Sequence, residues 1–180
     1  MSGVFVGVVG PSGAGKDAVL RYAQRRLEPE GFLFPRRVIT RMAGDAEDSE
    51  YVSVPRFAEL EAAGAFALSW KAHHLQYGIP AETLEQVSAG AVVVGNLSRT
   101  VLGQLSTRFA RARVVRITVA ENVRRARIIA RGREDYAALA ARLNRPDPAP
   151  NFPVDLEIIN SGTLNEAGEQ LVGYLREAAN

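Results

Sequence analysis

GVFVGVVGPSGAGKDAVLRYAQRRL, residues 3–27, contains the pattern from which the rest of the chain is read. Its first seven residues, Gly3 to Val9, are an unbroken apolar, mostly valine run. That is the composition of a central strand buried on both faces. Residues 16–27, KDAVLRYAQRRL, then carry Ala18, Val19, Tyr22, Ala23 and Leu27 at helical spacing. Between strand and helix lies GPSGAGKD, residues 10–17. It satisfies the phosphate-loop pattern G-x-x-x-x-G-K at Gly10, Gly15 and Lys16. Glycines let successive N–H groups turn inward around a phosphate, and the following helix offers its positive end to the same anion. Gly10, Pro11, Ser12, Gly13, Ala14, Gly15, Lys16 and Asp17 are therefore the expected phosphate cradle, with Lys16 reaching the outer phosphates.

Asp17 departs from the pattern, which asks for a serine or threonine hydroxyl there. Two readings stand side by side. An acidic residue in the first turn of a helix is favoured by the helix dipole by about 0.3–1 kcal/mol. Alternatively, its carboxylate replaces the hydroxyl as a ligand to Mg²⁺, directly or through water. A bare carboxylate beside a triphosphate repels it, and a cation between them turns repulsion into a bridge. The metal reading is preferred on that ground.

Strand and helix signals alternate along the remainder. RRVIT, YVSV, the hairpin-like AFALSWKAHHLQYG, AVVVGN, ARVVRITV and VDLEIIN read as strands. Helices are expected from Pro55 to Gly64, from Pro80 to Gly90, from near Ser98, over Glu121 to Arg131, and over TLNEAGEQLVGYLREA. GREDYAALAARLNR reads as a charged helical segment and PDPAPNFP as a breaker. This alternation predicts an α/β fold with a mainly parallel central sheet flanked by helices, its ligands at the carboxyl ends of the strands. The stretch from Arg41 to Tyr77 interrupts the alternation and reads as a small inserted subdomain. The chain of 180 residues is expected to form one domain.

Composition excludes several chemistries. The sequence holds no cysteine, so disulfides, thiolate metal sites and thiol catalysis are ruled out. That fits a cytoplasmic protein, and no apolar run is long enough to span a bilayer. Net charge is only +2, yet 20 of the 22 basic residues are arginine, with Lys16 and Lys71 the two lysines. Ten arginines lie between Arg111 and Arg145. Arginine's planar fork suits phosphate, although solvated helix faces account equally well for most of them. A basic, aromatic-rich stripe for nucleic acid is missing. His73 and His74 are adjacent, so on a strand they would face opposite sides, and no metal pair is expected.

Taken together, GPSGAGK, VITR, LSWKAHHLQYGIP and RGREDYAALAARL resemble the guanylate kinase superfamily of P-loop kinases over nearly the whole chain. The resemblance implies a P-loop NTPase fold whose loop holds ATP. It further implies an acceptor-binding subdomain at approximately 41–79 and an arginine-bearing lid at approximately 131–147. By position, Thr40, Arg41 and Tyr77 fall on acceptor-phosphate contacts, and Arg131, Arg133 and Arg142 on the lid. Two positions depart from guanylate kinase. Leu68 stands where a glutamate reads the guanine edge, and Ile79 where a small hydroxyl residue follows the YG pair. A polar base loses its partners in such a site. GPSGAGKD with its aspartate, ITR, ALSWKAH, YGIP and RGRE are similar instead to the ribose 1,5-bisphosphate phosphokinase branch. That branch acts in phosphonate catabolism and makes 5-phosphoribosyl 1-diphosphate (PRPP).

A phosphate acceptor has a second pKa near 6 and is ionised at neutral pH, so no general base is required. The difficulty is the approach of two anions. Like charges about 4 Å apart repel by about 1 kcal/mol in water and by several times that in a drier site. Lys16, the lid residues Arg131 and Arg133, and Mg²⁺ held by Asp17 are the expected counter-charges. Arg41 and then Arg37 are candidates for one acceptor phosphate. Arg99, after a strand's carboxyl end, is a candidate for the other, or equally a surface arginine at a helix start. The expected partner is a small phosphosugar, with no nucleic acid and no membrane. The competing expectations are a nucleoside-monophosphate kinase and an inactive guanylate-kinase-like binding module.

Overall fold

The structure, a computed structural model, describes residues 3–40, 49–72, 74–130, 144 and 147–180. Arg41, Arg131, Arg133, Arg142 and His73 lie outside these residues.

Strand β1 (Val4–Val9) is buried along its full length, and the reason is its position. It lies between β6 (Val92–Asn96) and β7 (Ala112–Thr118), parallel to both, and β8 (Leu156–Ile159) extends the sheet beyond β7. Period-two alternation divides β1 between two cores. Val4, Val6 and Val8 face a layer built by α1 (Lys16–Leu27) and α6 (Leu164–Ala178), with Val19, Ala23, Leu27, Leu171 and Leu175 filling it. Phe5 and Val9 face the opposite layer with Val93, Leu102, Leu105 and Phe109, and the Phe5 and Phe109 rings stack at 4.2 Å. Each fully buried aliphatic or aromatic side chain contributes about 1.5–3 kcal/mol of transfer free energy, so the two-sided burial of β1 anchors the whole sheet.

A second sheet occupies the chain between α1 and β6. Its order is β3 (Ser49–Tyr51), β2 (Arg37–Ile39), β5 (Leu75–Pro80), β4 (Phe66–Ala72). β2 and β3 are parallel, and β5 runs antiparallel to both β2 and β4. Helix α2 (Val54–Ala62) packs Phe57 against Phe66, their rings 4.7 Å apart. Helix α3 (Glu82–Ser88) returns the chain to the central sheet. Ala67, Leu68, Trp70 and Ile79 of the second sheet share a core with Phe5, Val93 and Leu97. The two sheets are therefore welded through common apolar side chains.

Four expectations need correction. The strand expected over YVSV is Ser49–Tyr51 instead. Ser53 accepts the Arg56 N–H and caps α2, because a hydroxyl acceptor at a helix start satisfies an otherwise unpaired donor. Pro80 closes β5 and does not open a helix, since its missing N–H costs nothing at a strand end. His74 sits in the turn between β4 and β5 with φ 62°, not on a strand. The segment after Ser98 begins as a 3-10 helix, Arg99–Gln104, before the short α4 (Leu105–Arg108). Helix α5 (Glu121–Ala130) follows β7 as expected. Leu33 adds a single parallel bridge to Val93 outside β6.

Candidate active site

The glycine loop runs from the end of β1 to the first residue of α1. Gly13 and Gly15 have φ of 86° and 83°, a region open to glycine and strained for other residues. The loop is held from behind by three side chains. Asn160, just past β8 and 4% exposed, donates Nδ2–H to the Ala14 carbonyl at 2.8 Å. Arg124 and Arg127 of α5 reach the Ser12 and Ala14 carbonyls, each at 3.5 Å. Arg124 is itself fixed by Glu121, Nε to Oε2 at 2.9 Å. A methyl group at Gly15 would meet Asn160 Nδ2 at 2.5 Å, and one at Gly13 would meet Ile128 at 2.8 Å. The loop thus has one shape, clamped between α5 and the end of β8. Among the described residues no side chain caps α1 at Gly15. Its first-turn N–H groups are oriented for an anion, as helix starts of this kind are.

Lys16 and Asp17 stand on that first turn, and Asn96 at the carboxyl end of β6 bonds to both. Lys16 Nζ donates to Asn96 Oδ1, and Asn96 Nδ2 donates to Asp17 Oδ1 at 2.8 Å. Lys16 Nζ and Asp17 Oδ1 are 3.8 Å apart. The surrounding protein pushes the Asp17 carboxyl up. Lys16, the Asn96 hydrogen bond, Arg37 and Arg21 together outweigh that push and hold it below its ordinary value. It is a carboxylate at neutral pH, and its side chain is 51% exposed. A cleft opens beside it, walled by Leu20, Phe34, Pro35 and Val94 and rimmed by Arg21, Arg37 and Asn96.

The remaining sequence candidates separate into two groups. Arg37 rims this cleft, its guanidinium 5.6 Å over the Tyr77 ring, and Tyr77 stacks in turn on Trp70 at 5.4 Å with the rings 3° from parallel. Thr40 lies at the end of β2, where its hydroxyl accepts the Gln76 N–H at 2.8 Å and ties β2 to β5. Arg99 is drawn elsewhere. Its guanidinium is paired with Asp147 at 2.7 Å, and both side chains are largely buried. Burial raises the Asp147 carboxyl, while the Ala149 N–H and Arg99 lower it further, leaving it ionised. Gly10, Pro11, Ser12, Gly13, Ala14 and Gly15 connect β1 to α1, and Lys16 and Asp17 are the first two residues of that helix.

Sequence reading passed over Arg21, Asn96, Arg124, Arg127 and Asn160. Asn96 ends β6 and Asn160 follows β8, at the strand carboxyl ends where α/β sheets gather ligands, but position alone does not say what either side chain bonds to. Arg21 lies one helical turn after Asp17 and shares its face. Arg124 and Arg127 had no local signal, because they act on the loop from a helix more than a hundred residues away.

The backbone matches guanylate kinase from Anaplasma phagocytophilum over 98% of this chain and 86% of that one, with a TM-score of 0.74 and 19% sequence identity. The fold is thereby the P-loop NTPase fold of guanylate kinase. No protein-family model matches the chain. Ribose 1,5-bisphosphate phosphokinase PhnN of Pseudofrankia inefficax is 49% identical over 177 residues, covering 98% of this chain and 93% of that protein. Its counterpart in Agrobacterium fabrum is 42% identical over 175 residues, covering 96% of each. The chain belongs to the ribose 1,5-bisphosphate phosphokinase family.

Proposed function

We propose that this protein transfers the γ-phosphoryl group of ATP to ribose 1,5-bisphosphate, giving 5-phosphoribosyl 1-diphosphate and ADP. The observation that carries the reading is the cleft between the loop and β2. It has Asp17 and Asn96 at one end, with Lys16 bonded to Asn96, and the arginine pair Arg21 and Arg37 at the rim. Arg21 and Arg37 give the cleft the positive charge that an acceptor carrying phosphate requires. The second support is apolar. Leu68 and Ile79 are cross-strand neighbours, both fully buried, and neither offers a hydrogen bond to a base edge. The two departures from guanylate kinase thus lie side by side as a packed aliphatic pair.

The donor set fits a nucleotide with its metal: a hard carboxylate oxygen at Asp17, a cation at Lys16 and the N–H groups of a helix start. A divalent cation bound there supplies charge neutralisation between the donor phosphates and the arriving acceptor. In the transfer, an acceptor phosphate oxygen forms a bond to the γ-phosphorus as the bond to the β–γ bridging oxygen breaks. The acceptor is already ionised, so no side chain has to remove a proton. Lys16 stabilises the charge on the moving group. Arg37 and Arg21 hold the acceptor, with Tyr77 packed under Arg37, and Arg41 joins them as the resemblance implies. The subdomain at approximately 41–79 binds the acceptor, and the segment at approximately 131–147 closes as a lid that brings Arg131 and Arg133 to the transferring phosphoryl group. The reaction takes place in the cytoplasm, for which a cysteine-free chain is suited.

The test is an ADP-release assay with ribose 1,5-bisphosphate, GMP and dGMP as acceptors in parallel. Turnover with the phosphosugar and only background rates with the nucleotides is the expected result. Faster phosphorylation of GMP, or ATP binding without turnover on any acceptor, overturns the proposal.

A further inference from the structure

P-loop enzymes commonly hold Mg²⁺ with a loop hydroxyl and an aspartate at the end of a nearby strand. Here the loop position carries the carboxylate, Asp17. The end of β6, which pairs directly with β1 and sets Asn96 opposite Val8, carries a neutral carboxamide. The two side chains are hydrogen-bonded at 2.8 Å. We propose that Asp17 and Asn96 are a charge-exchanged pair, in which the single negative charge of the metal site has moved from strand to loop and Asn96 positions both Asp17 and Lys16. The inference rests on reading the loop as an ATP–metal site and does not depend on the acceptor.

The orientation of the carboxamide follows from its neighbours. Lys16 has only hydrogens to donate and the Asp17 carboxylate only lone pairs to accept with, so Oδ1 faces the lysine and Nδ2 the carboxylate. The carboxamide supplies the acceptor and the donor on separate atoms, one for each neighbour. An aspartate at 96 would set two carboxylates in hydrogen-bond contact, forcing one to take up a proton or to draw Lys16 away from the phosphates. A serine at 17 beside Asn96 would leave the pair with no negative charge. Each single change is harmful for a different reason, and the two together restore one charge and one neutral oxygen.

Asp17→Ser, Asn96→Asp and the double variant are compared by two binding measurements. One is Mn²⁺ affinity of the ATP complex, read from the electron paramagnetic resonance signal of free Mn²⁺. The other is ATP affinity in EDTA, read by calorimetry. Asp17→Ser is expected to weaken Mn²⁺ binding by about tenfold or more, and Asn96→Asp to weaken metal-free ATP binding by a similar factor. The double variant is expected to return both to within about threefold of the parent, the non-additivity that marks a coupled pair. Simple addition of the two losses overturns the proposal. Should Asn96→Asp fail to fold, Asp17→Asn combined with Asn96→Asp, the same pair inverted, carries the test. Mn²⁺ affinity within about threefold supports the pair, and a loss of about tenfold or more sinks it. Phosphosugar turnover by the parent with additive losses in the variants refutes the pair alone. Restored binding in a protein that prefers GMP refutes the acceptor reading alone.

Discussion

At Lys16 charge and geometry meet in one side chain: it begins α1, is 15% exposed, and is held by Asn96. Replacing it with alanine is expected to lower kcat by about 10²–10³-fold, the usual effect of removing one preorganised charge from a transition state. Far-UV circular dichroism and the melting temperature should stay close to those of the parent, because only polar contacts are lost. Retained activity would remove Lys16 from the mechanism. The loop residues were legible because their spacing is the chemistry: the glycines permit the turn and the lysine follows at fixed reach. Asn96 was not legible, because its importance comes from a partner 79 positions away in sequence. Resemblance marks Thr40 for the acceptor, and its hydroxyl, which accepts the Gln76 N–H, keeps its own hydrogen to donate.

The clamp behind the loop shows how elements divide the work. β1 and α1 form the loop, but α5 and the residue after β8 hold its shape. Asn160→Ala leaves the Ala14 carbonyl with only its 3.5 Å contact to Arg127, a cost of about 1 kcal/mol. For a chain of this size each kcal/mol lost lowers the melting temperature by about 2–4 °C. The same change is expected to raise KM for ATP more than it lowers kcat, since a loosened cradle binds the nucleotide less well. A larger effect on kcat than on KM would place Asn160 nearer the chemistry than its position indicates. Long, periodic elements such as α1 and α6 were readable from spacing alone, and α6 also carries a full capping box of Thr163 with Glu166. Short strands were not. Ser49–Tyr51 has three residues, and only its pairing with Arg37–Ile39 distinguishes it from neighbouring extended chain.

Across the whole molecule, the second sheet is not an independent lobe. Ala67, Leu68, Trp70 and Ile79 share their core with β1 and β6. Trp70 is the sole tryptophan and lies in that shared core, so its fluorescence reports on the second sheet while far-UV circular dichroism reports on all elements. The two signals are expected to give one coincident urea transition, as two-state unfolding requires. Separate midpoints would mean that the sheets unfold one after the other. The alternation of strands and helices made the parallel sheet predictable. The weld between the sheets was hidden, because it depends on which face of β4 and β5 turns inward.

The bridge from Leu33 to β6 has a consequence for life at high concentration. Val92, Val93 and Val94 would otherwise offer a bare valine edge for intermolecular strand pairing. Leu33 N–H bonds to the Val92 carbonyl at 3.0 Å, and the Val94 N–H bonds to the Leu33 carbonyl at 2.8 Å. One residue in an irregular segment thus occupies a donor and an acceptor that a neighbouring molecule would need, and it blunts the β6 edge without adding a strand.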